Sequence, residues 1–157
     1  MYEDSAATRR LLHVALVLGV GLAASLDEII LHQILQWHHF YHYAPRNWQL
    51  ISDGLFHIFS AGLLLAGAIW LWRSRGLIQR ADGRALTAGL LLGVGGFNLY
   101  DGVINHKVLG LHQVREGVDN LWLYDVGFIG LALVVLALGW WRWQAVRASG
   151  AGEVRNG

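Results

Sequence analysis

The sequence has no cysteine, one methionine and one proline, and only 15% of its 157 residues are Asp, Glu, Lys or Arg. Without cysteine there is no disulfide framework, no thiolate zinc site and no thiol nucleophile. The single methionine, Met1, leaves no sulfur ligands for a Cu(I) site. Charged residues make up about a quarter of a typical soluble domain, so this chain is poor in charge for its length. Basic runs interleaved with aromatics are also missing and the net charge is only +1, which sets nucleic-acid binding aside.

The chain is instead 55% hydrophobic, with 20 glycines, 8 tryptophans and 8 histidines. Its length is that of one domain. This composition predicts an all-α integral membrane protein whose partner is the lipid bilayer. Apolar spans are expected at about 11–37, 48–72, 85–109 and 120–143, each near the ~20 residues that cross a bilayer. The first is too long for a signal peptide, contains Asp27 and Glu28, and reads as a retained transmembrane helix. Pro45 breaks the loop after it, with Asn47 as the expected cap of the second helix and Asp119 or Asn120 as that of the fourth. The tail from Gln144 is expected to fray.

Nine arginines (Arg9, Arg10, Arg73, Arg75, Arg80, Arg84, Arg142, Arg147 and Arg155) flank one side of these spans, against Arg46, Lys107 and Arg115 on the other. The positive-inside rule then puts both termini in the cytoplasm of a bacterial inner membrane. Trp37, Trp48 and Trp122 mark the outer interface, and Trp70, Trp72, Trp140, Trp141 and Trp143 the inner one.

One stretch occurs twice. GVGLAASLDEIILHQILQWH (19–38) and GVGGFNLYDGVINHKVLGLH (93–112) match at Gly19/Gly93, Gly21/Gly95, Asp27/Asp101, His32/His106, Leu35/Leu109 and His38/His112. Asp53 and Phe56 correspond to Asp125 and Phe128, with the register slipped by two residues. The chain therefore reads as two tandem helical hairpins, about 11–72 and 85–143, forming a four-helix bundle with a pseudo-twofold axis along the membrane normal.

At ~1.5 Å rise per residue, Asp27, Asp53, Asp101 and Asp125 all fall in one layer of the outer leaflet. His57 lies a turn deeper, and His32 and His106 a turn higher. Acids and imidazoles in an apolar span are costly unless paired, ligated or used. Glu28/His32 and Asp53/His57 are spaced i,i+4 and share a face. Asp27/His32 and Asp101/His106 are five apart, about 140° around an ideal α-helix, and can serve one centre only if the helix changes its winding there.

Three readings of the layer compete: a buried hydrogen-bond network, a transition-metal site (copper, iron or zinc), and haem b or an ion path. In the metal reading His32, His57 and His106 supply nitrogens, and Asp27, Asp53, Asp101 and Asp125 oxygens. Glu28 is a spare carboxylate able to accept a proton. Asn98, Asn105, His38 and His112 stand behind the ligands. The haem reading uses His32 and His106 as axial ligands. A small proton- or ion-coupled transporter is opposed by the apolar inner halves of all four spans. The close-packing glycines (Gly19, Gly21, Gly93, Gly95 and Gly96) are expected at the interface between the halves.

HQILQWHH, DGLFH and GLHQVRE, in that order on these spans, resemble a family of bacterial four-helix membrane proteins catalogued as a domain of unknown function. That resemblance implies an association with cytochrome c oxidase assembly proteins, hence copper or respiratory chemistry and a respiratory assembly partner or a second copy of the chain. It implies no activity and no site residues.

Overall fold

Four long helices account for most of the computed structural model, which describes residues 2–155. Met1, Asn156 and Gly157, and the side chains of residues 2–4, 77 and 150–155, lie outside the described residues. Helix α1 (Tyr2–Asp27) runs directly into a π-helical segment, π1 (Glu28–Ile34). Helix α2 follows (Arg46–Ile78), then α3 (Arg84–Tyr100), which runs into π2 (Asp101–Val108), and finally α4 (Leu121–Arg155). Four segments, Ser5–Ile34, Arg46–Gly76, Arg84–Val108 and Leu121–Ser149, are long and apolar enough to cross a membrane. The chain is a four-helix membrane bundle, as expected.

The ends differ from expectation. Helix α1 begins well before residue 11, α2 continues beyond residue 72, and α4 runs through the tail expected to fray. Tertiary ties support the first two extensions. Arg10 Nε donates to Ser74 Oγ at 2.8 Å, and the Asp82 amide donates to Thr8 Oγ1 at 3.1 Å. Asn47 is not the cap of α2. It sits inside the first turn, where the Pro45 carbonyl accepts from the Trp48 and Gln49 amides at 2.8 and 3.1 Å. Proline before a helix leaves its carbonyl free for this role while donating nothing itself.

Helices α1 and α3 form the central pair; α2 packs on α1 and α4 on α3. Small residues set these approaches. A Cβ on Gly19 would come within 2.4 Å of the Leu90 carbonyl oxygen, and one on Gly93 within 2.3 Å of that of Leu16. Gly21 faces the backbone of Leu64 on α2, and Gly95 that of Leu136 on α4. Gly96 has open space where its Cβ would be, so it is not an interface glycine. With little hydrophobic force between helices in lipid, close backbone approach supplies the packing. Leu11, Leu12, Ala85 and Ala88 make an apolar core toward the termini, whereas the opposite end of the bundle is polar.

That polar end is where the winding changes. The Leu35 and Leu109 amides donate to Ile30 and Ile104 five residues back, each at 2.8 Å. Both π segments end on a left-handed residue two positions past the helix, Gln36 (φ 50°) and Gly110 (φ 60°). Glycine adopts this conformation freely, whereas at Gln36 it carries backbone strain. The two loops then interlock. The His42 amide donates to Leu111 O at 3.1 Å, and the Glu116 amide to Trp37 O at 3.0 Å. Donors and acceptors alike are 74 positions apart.

Gly93→Ala should lower the melting temperature in detergent, by an overpacking cost of about 1–3 kcal/mol. Gly62→Ala, where a Cβ meets nothing within 4 Å, should not. Equal melting temperatures for the two variants would refute the packing assigned to α1 and α3.

Candidate metal centre

The i→i+5 bonds of a π-helix put residues five apart on one face. Each π segment therefore aims a histidine at the acid that precedes it. His32 Nε2 lies 3.3 Å from Asp27 Oδ2, and His106 Nε2 lies 3.0 Å from Asp101 Oδ2. The 140° mismatch of an ideal α-helix is removed by rewinding. Single π turns inside α-helices occur frequently at functional sites.

His38 and His112 occupy the centre. Both are only 1% exposed, and their rings stack in parallel with centroids 4.4 Å apart. His32 stands edge-on to His38 at 4.5 Å, and His106 edge-on to His112 at 4.6 Å. His38 Nδ1–H donates to Val114 O at 2.9 Å, and His112 Nδ1–H donates to Phe40 O at 2.8 Å. Each loop thus orients the histidine of the other. With Nδ1 donating, Nε2 of each ring carries the free lone pair. Burial, with the neighbouring imidazoles next, pushes His38 down to about 2. Burial also pushes His112 down, to about 4, against the pull of Asp101. Both rings are neutral at neutral pH, the state in which imidazole ligates metal.

The first half carries more acid than the second. Glu28 Oε2 lies 2.8 Å, and Asp53 Oδ1 3.2 Å, from His32 Nδ1. Asp53 also accepts from the Phe40 amide at 2.7 Å and from His39 Nδ1–H at 2.6 Å, while Arg46 donates to the other nitrogen of His39. Asp53 therefore ties the first loop to α2. In the second half, Asn105 Nδ2 donates to Asp101 Oδ1 at 2.7 Å.

The structure places several of the expected site residues apart from the cluster. His57 is exposed on α2 and joins no cluster. The inward stripe of that helix is Asp53, Phe56 and Ser60, and Phe56 takes the place over the His32 ring, centroids 5.8 Å apart. Asp125 is drawn away by Lys107, whose Nζ lies 2.5 Å from its Oδ2. Asn98 is half-buried on α3, and the Asn98 contact at the site is its backbone carbonyl, which accepts from the Asp101 amide. His38 and His112 are central rather than peripheral. His39, a loop histidine that sequence alone reads as solvated, is buried against Asp53. Its signal is adjacency to His38 beside a buried acid, which only the fold supplies.

Within this layer nine buried nitrogen and oxygen atoms make no hydrogen bond: Asp27 Oδ1, Glu28 Oε2, Asp101 Oδ2, both nitrogens of His32 and of His106, and Nε2 of His38 and of His112. Five of the nine face an ion-pair partner at 2.8–3.3 Å; Asp27 Oδ1, His106 Nδ1 and Nε2 of His38 and of His112 have none that close, and leaving a buried polar atom so costs about 1–3 kcal/mol. Three donor sets hold their ligand atoms within 4.8 Å of one another: His38/His106/His112, Asp27/His32/His38 and Glu28/His32/Asp53.

Fold and site together define a four-helix membrane protein with a buried imidazole–carboxylate cluster that could hold a metal ion. The chain belongs to the family described as "Predicted membrane protein (DUF2243)", a domain of unknown function whose profile matches residues 14–146. No curated protein and no solved structure matches it.

Asp53→Ala should speed amide hydrogen exchange at Phe40 by about 10–100-fold, the loss of a hydrogen bond to a charged acceptor. Asp125→Ala should leave that amide unchanged. Unaltered protection at Phe40 in Asp53→Ala would show that Asp53 does not hold the loop.

Proposed function

We propose that this protein binds transition-metal ions in the polar layer at the outer end of its bundle. The observation that carries the proposal is the convergence on one layer of nine buried nitrogen and oxygen atoms that make no hydrogen bond, four of them with no ion-pair partner within 3.3 Å either. The donor chemistry fits. Imidazole nitrogen and carboxylate oxygen suit zinc, copper and iron. The His38 and His112 Nδ1–H bonds to backbone carbonyls are the outer contacts that fix the tautomer of ligating histidines. His32 and Asp27 lie at a 3.3 Å separation without hydrogen-bond alignment. That is close to the edge of a coordination shell with bonds of about 2.0–2.2 Å.

In this reading His32, His38, His106 and His112 would hold the ion as nitrogen ligands, with Asp27 and Asp101 as oxygen ligands. Asn105 orients Asp101. A bound ion would supply Lewis acidity or a redox couple. The chain itself excludes water with the interlocked loops and holds the His38 and His112 rings neutral. The paired contacts at a 74-residue offset support two copies of one hairpin related by a pseudo-twofold axis, so that His32 and His106 enter as equivalents. The arginine asymmetry supports cytoplasmic termini and a site toward the outer face of a bacterial inner membrane, where metal delivery to, or chemistry beside, a respiratory partner is the corresponding role. A bis-His haem is disfavoured, because the His38/His112 stack stands where a macrocycle between His32 and His106 would lie.

Elemental analysis of the detergent-purified protein should find a stoichiometric transition metal. The double variant His32→Ala/His106→Ala should lose at least nine-tenths of it while still eluting as a folded species. Wild-type protein devoid of metal after growth in metal-supplemented medium, or undiminished metal in the double variant, would refute the proposal.

A further inference from the structure

The two halves are unequal around their equivalent histidines, and the inequality lies on one atom. His32 turns Nε2 toward Asp27 and the central rings, and Nδ1 toward Glu28 and Asp53. His106 turns Nε2 toward Asp101. Its Nδ1 is buried without a hydrogen bond, and no carboxylate pairs with it among the described residues.

We infer that Glu28, His32 Nδ1 and Asp53 form a second, oxygen-rich divalent-cation site, present in the first half alone and joined to the central site through the His32 ring. This inference rests on the proposed metal-binding function and deepens it. Glu28 and His32 are 1% exposed, as is Asp53. Glu28 Oε1 accepts from Gln33 Nε2 at 2.8 Å, while Oε2 makes no hydrogen bond. Asp53 Oδ2 is taken by His39 and one lone pair of Oδ1 by the Phe40 amide, which leaves the other Oδ1 lone pair facing His32. One nitrogen and at least two carboxylate oxygens then share a pocket less than 4.8 Å across.

The second half is built so that no such site forms. Gly102 stands where the 74-residue offset would put the counterpart of Glu28. A Cβ there would already come to 3.0 Å from Phe128 and from Ile129. Asp125, the counterpart of Asp53, is neutralised by Lys107, which in turn occupies the position equivalent to Gln33. One substitution removes the acid and another supplies a cation, so the asymmetry is consistent across three positions.

The donor sets select different ions. The central site, dominated by imidazole, suits Cu(II) or zinc, whereas the carboxylate-rich site suits harder ions such as Mn(II) or Fe(II). The His32 ring, with Nε2 toward Asp27 and Nδ1 toward Glu28 and Asp53, lies between the two donor sets.

The test loads metal-stripped, detergent-purified protein with Cu(II) and Mn(II) and counts each by paramagnetic resonance and elemental analysis. Wild-type protein should retain both. Glu28→Gln keeps the Oε1 acceptor for Gln33, and should weaken Mn(II) binding at least tenfold while leaving Cu(II) stoichiometry intact. Asp53→Asn should do the same. His38→Ala/His112→Ala should lose Cu(II) and keep Mn(II), and Asp125→Asn should change neither. Retained Cu(II) reports that the Glu28 and Asp53 variants are folded. Wild-type Mn(II) binding in Glu28→Gln, or displacement of one ion by the other at a single site, would overturn the second site and leave the metal-binding function standing. A wild-type protein that takes up neither ion would overturn both.

Discussion

The structure depends on one constraint: carboxylates and imidazoles are buried in a bundle that is otherwise lined by leucine, alanine and glycine. Lipid offers no partner to such groups, and the desolvation of an ionised carboxylate is several kcal/mol after all relaxation. The molecule answers by concentrating them. Asp27, Glu28, His32, Asp53, Asp101 and His106 form one layer, capped by loops that carry His38 and His112. An acid alone in any of these helices would be pushed to neutrality. Four acids packed against the imidazoles of His32, His38, His106 and His112 share that cost.

Rewinding is what makes the layer work. A regular α-helix would have sent His32 and His106 to faces away from Asp27 and Asp101. The π segments cost hydrogen-bond geometry and end in left-handed residues, one of them the unfavourable Gln36. Strain of this kind persists where the surrounding structure fixes it. Here the fixing is done by loop-to-loop bonds, by Asp53 on the first loop, and by Arg115, which donates to Tyr124 at 2.7 Å and lies over the Trp37 ring. On the α2–α3 side a cavity of about 400 Å³, lined by Phe40, Phe56, Phe59, Phe97 and Tyr100, reaches Asn105 and keeps that flank apolar.

The glycines serve the same end. Gly19 and Gly93 bring α1 and α3 to backbone contact, so the two Asp–His pairs above them meet rather than stand a side chain apart. The flanking helices are largely exposed to lipid; α4 in particular presents Trp122, Leu131, Val134 and Trp141 outward. Among the described residues it adds no side chain to the cluster; its acid near the layer, Asp125, is held by Lys107. The central pair is the polar unit, and α2 and α4 differ in what they add to it.

The number and class of the helices were legible in the sequence, because apolar runs near bilayer length bounded by charge have few other uses. The Asp–x4–His–x5–His spacing was legible too, since it stands twice. Its meaning was not. Periodicity assumes 3.6 residues per turn, and so it favoured His57, an i,i+4 partner of Asp53 that is exposed on α2, over His38 and His112, which it set behind the ligands. Composition and hydropathy are sums over residues, and they suffice for a membrane bundle with acids and histidines at one end. Which of those side chains meet is set by the fold. Loop exchange, the π turns and the Lys107–Asp125 pair arise from contacts between segments far apart in the chain, and no local pattern encodes them.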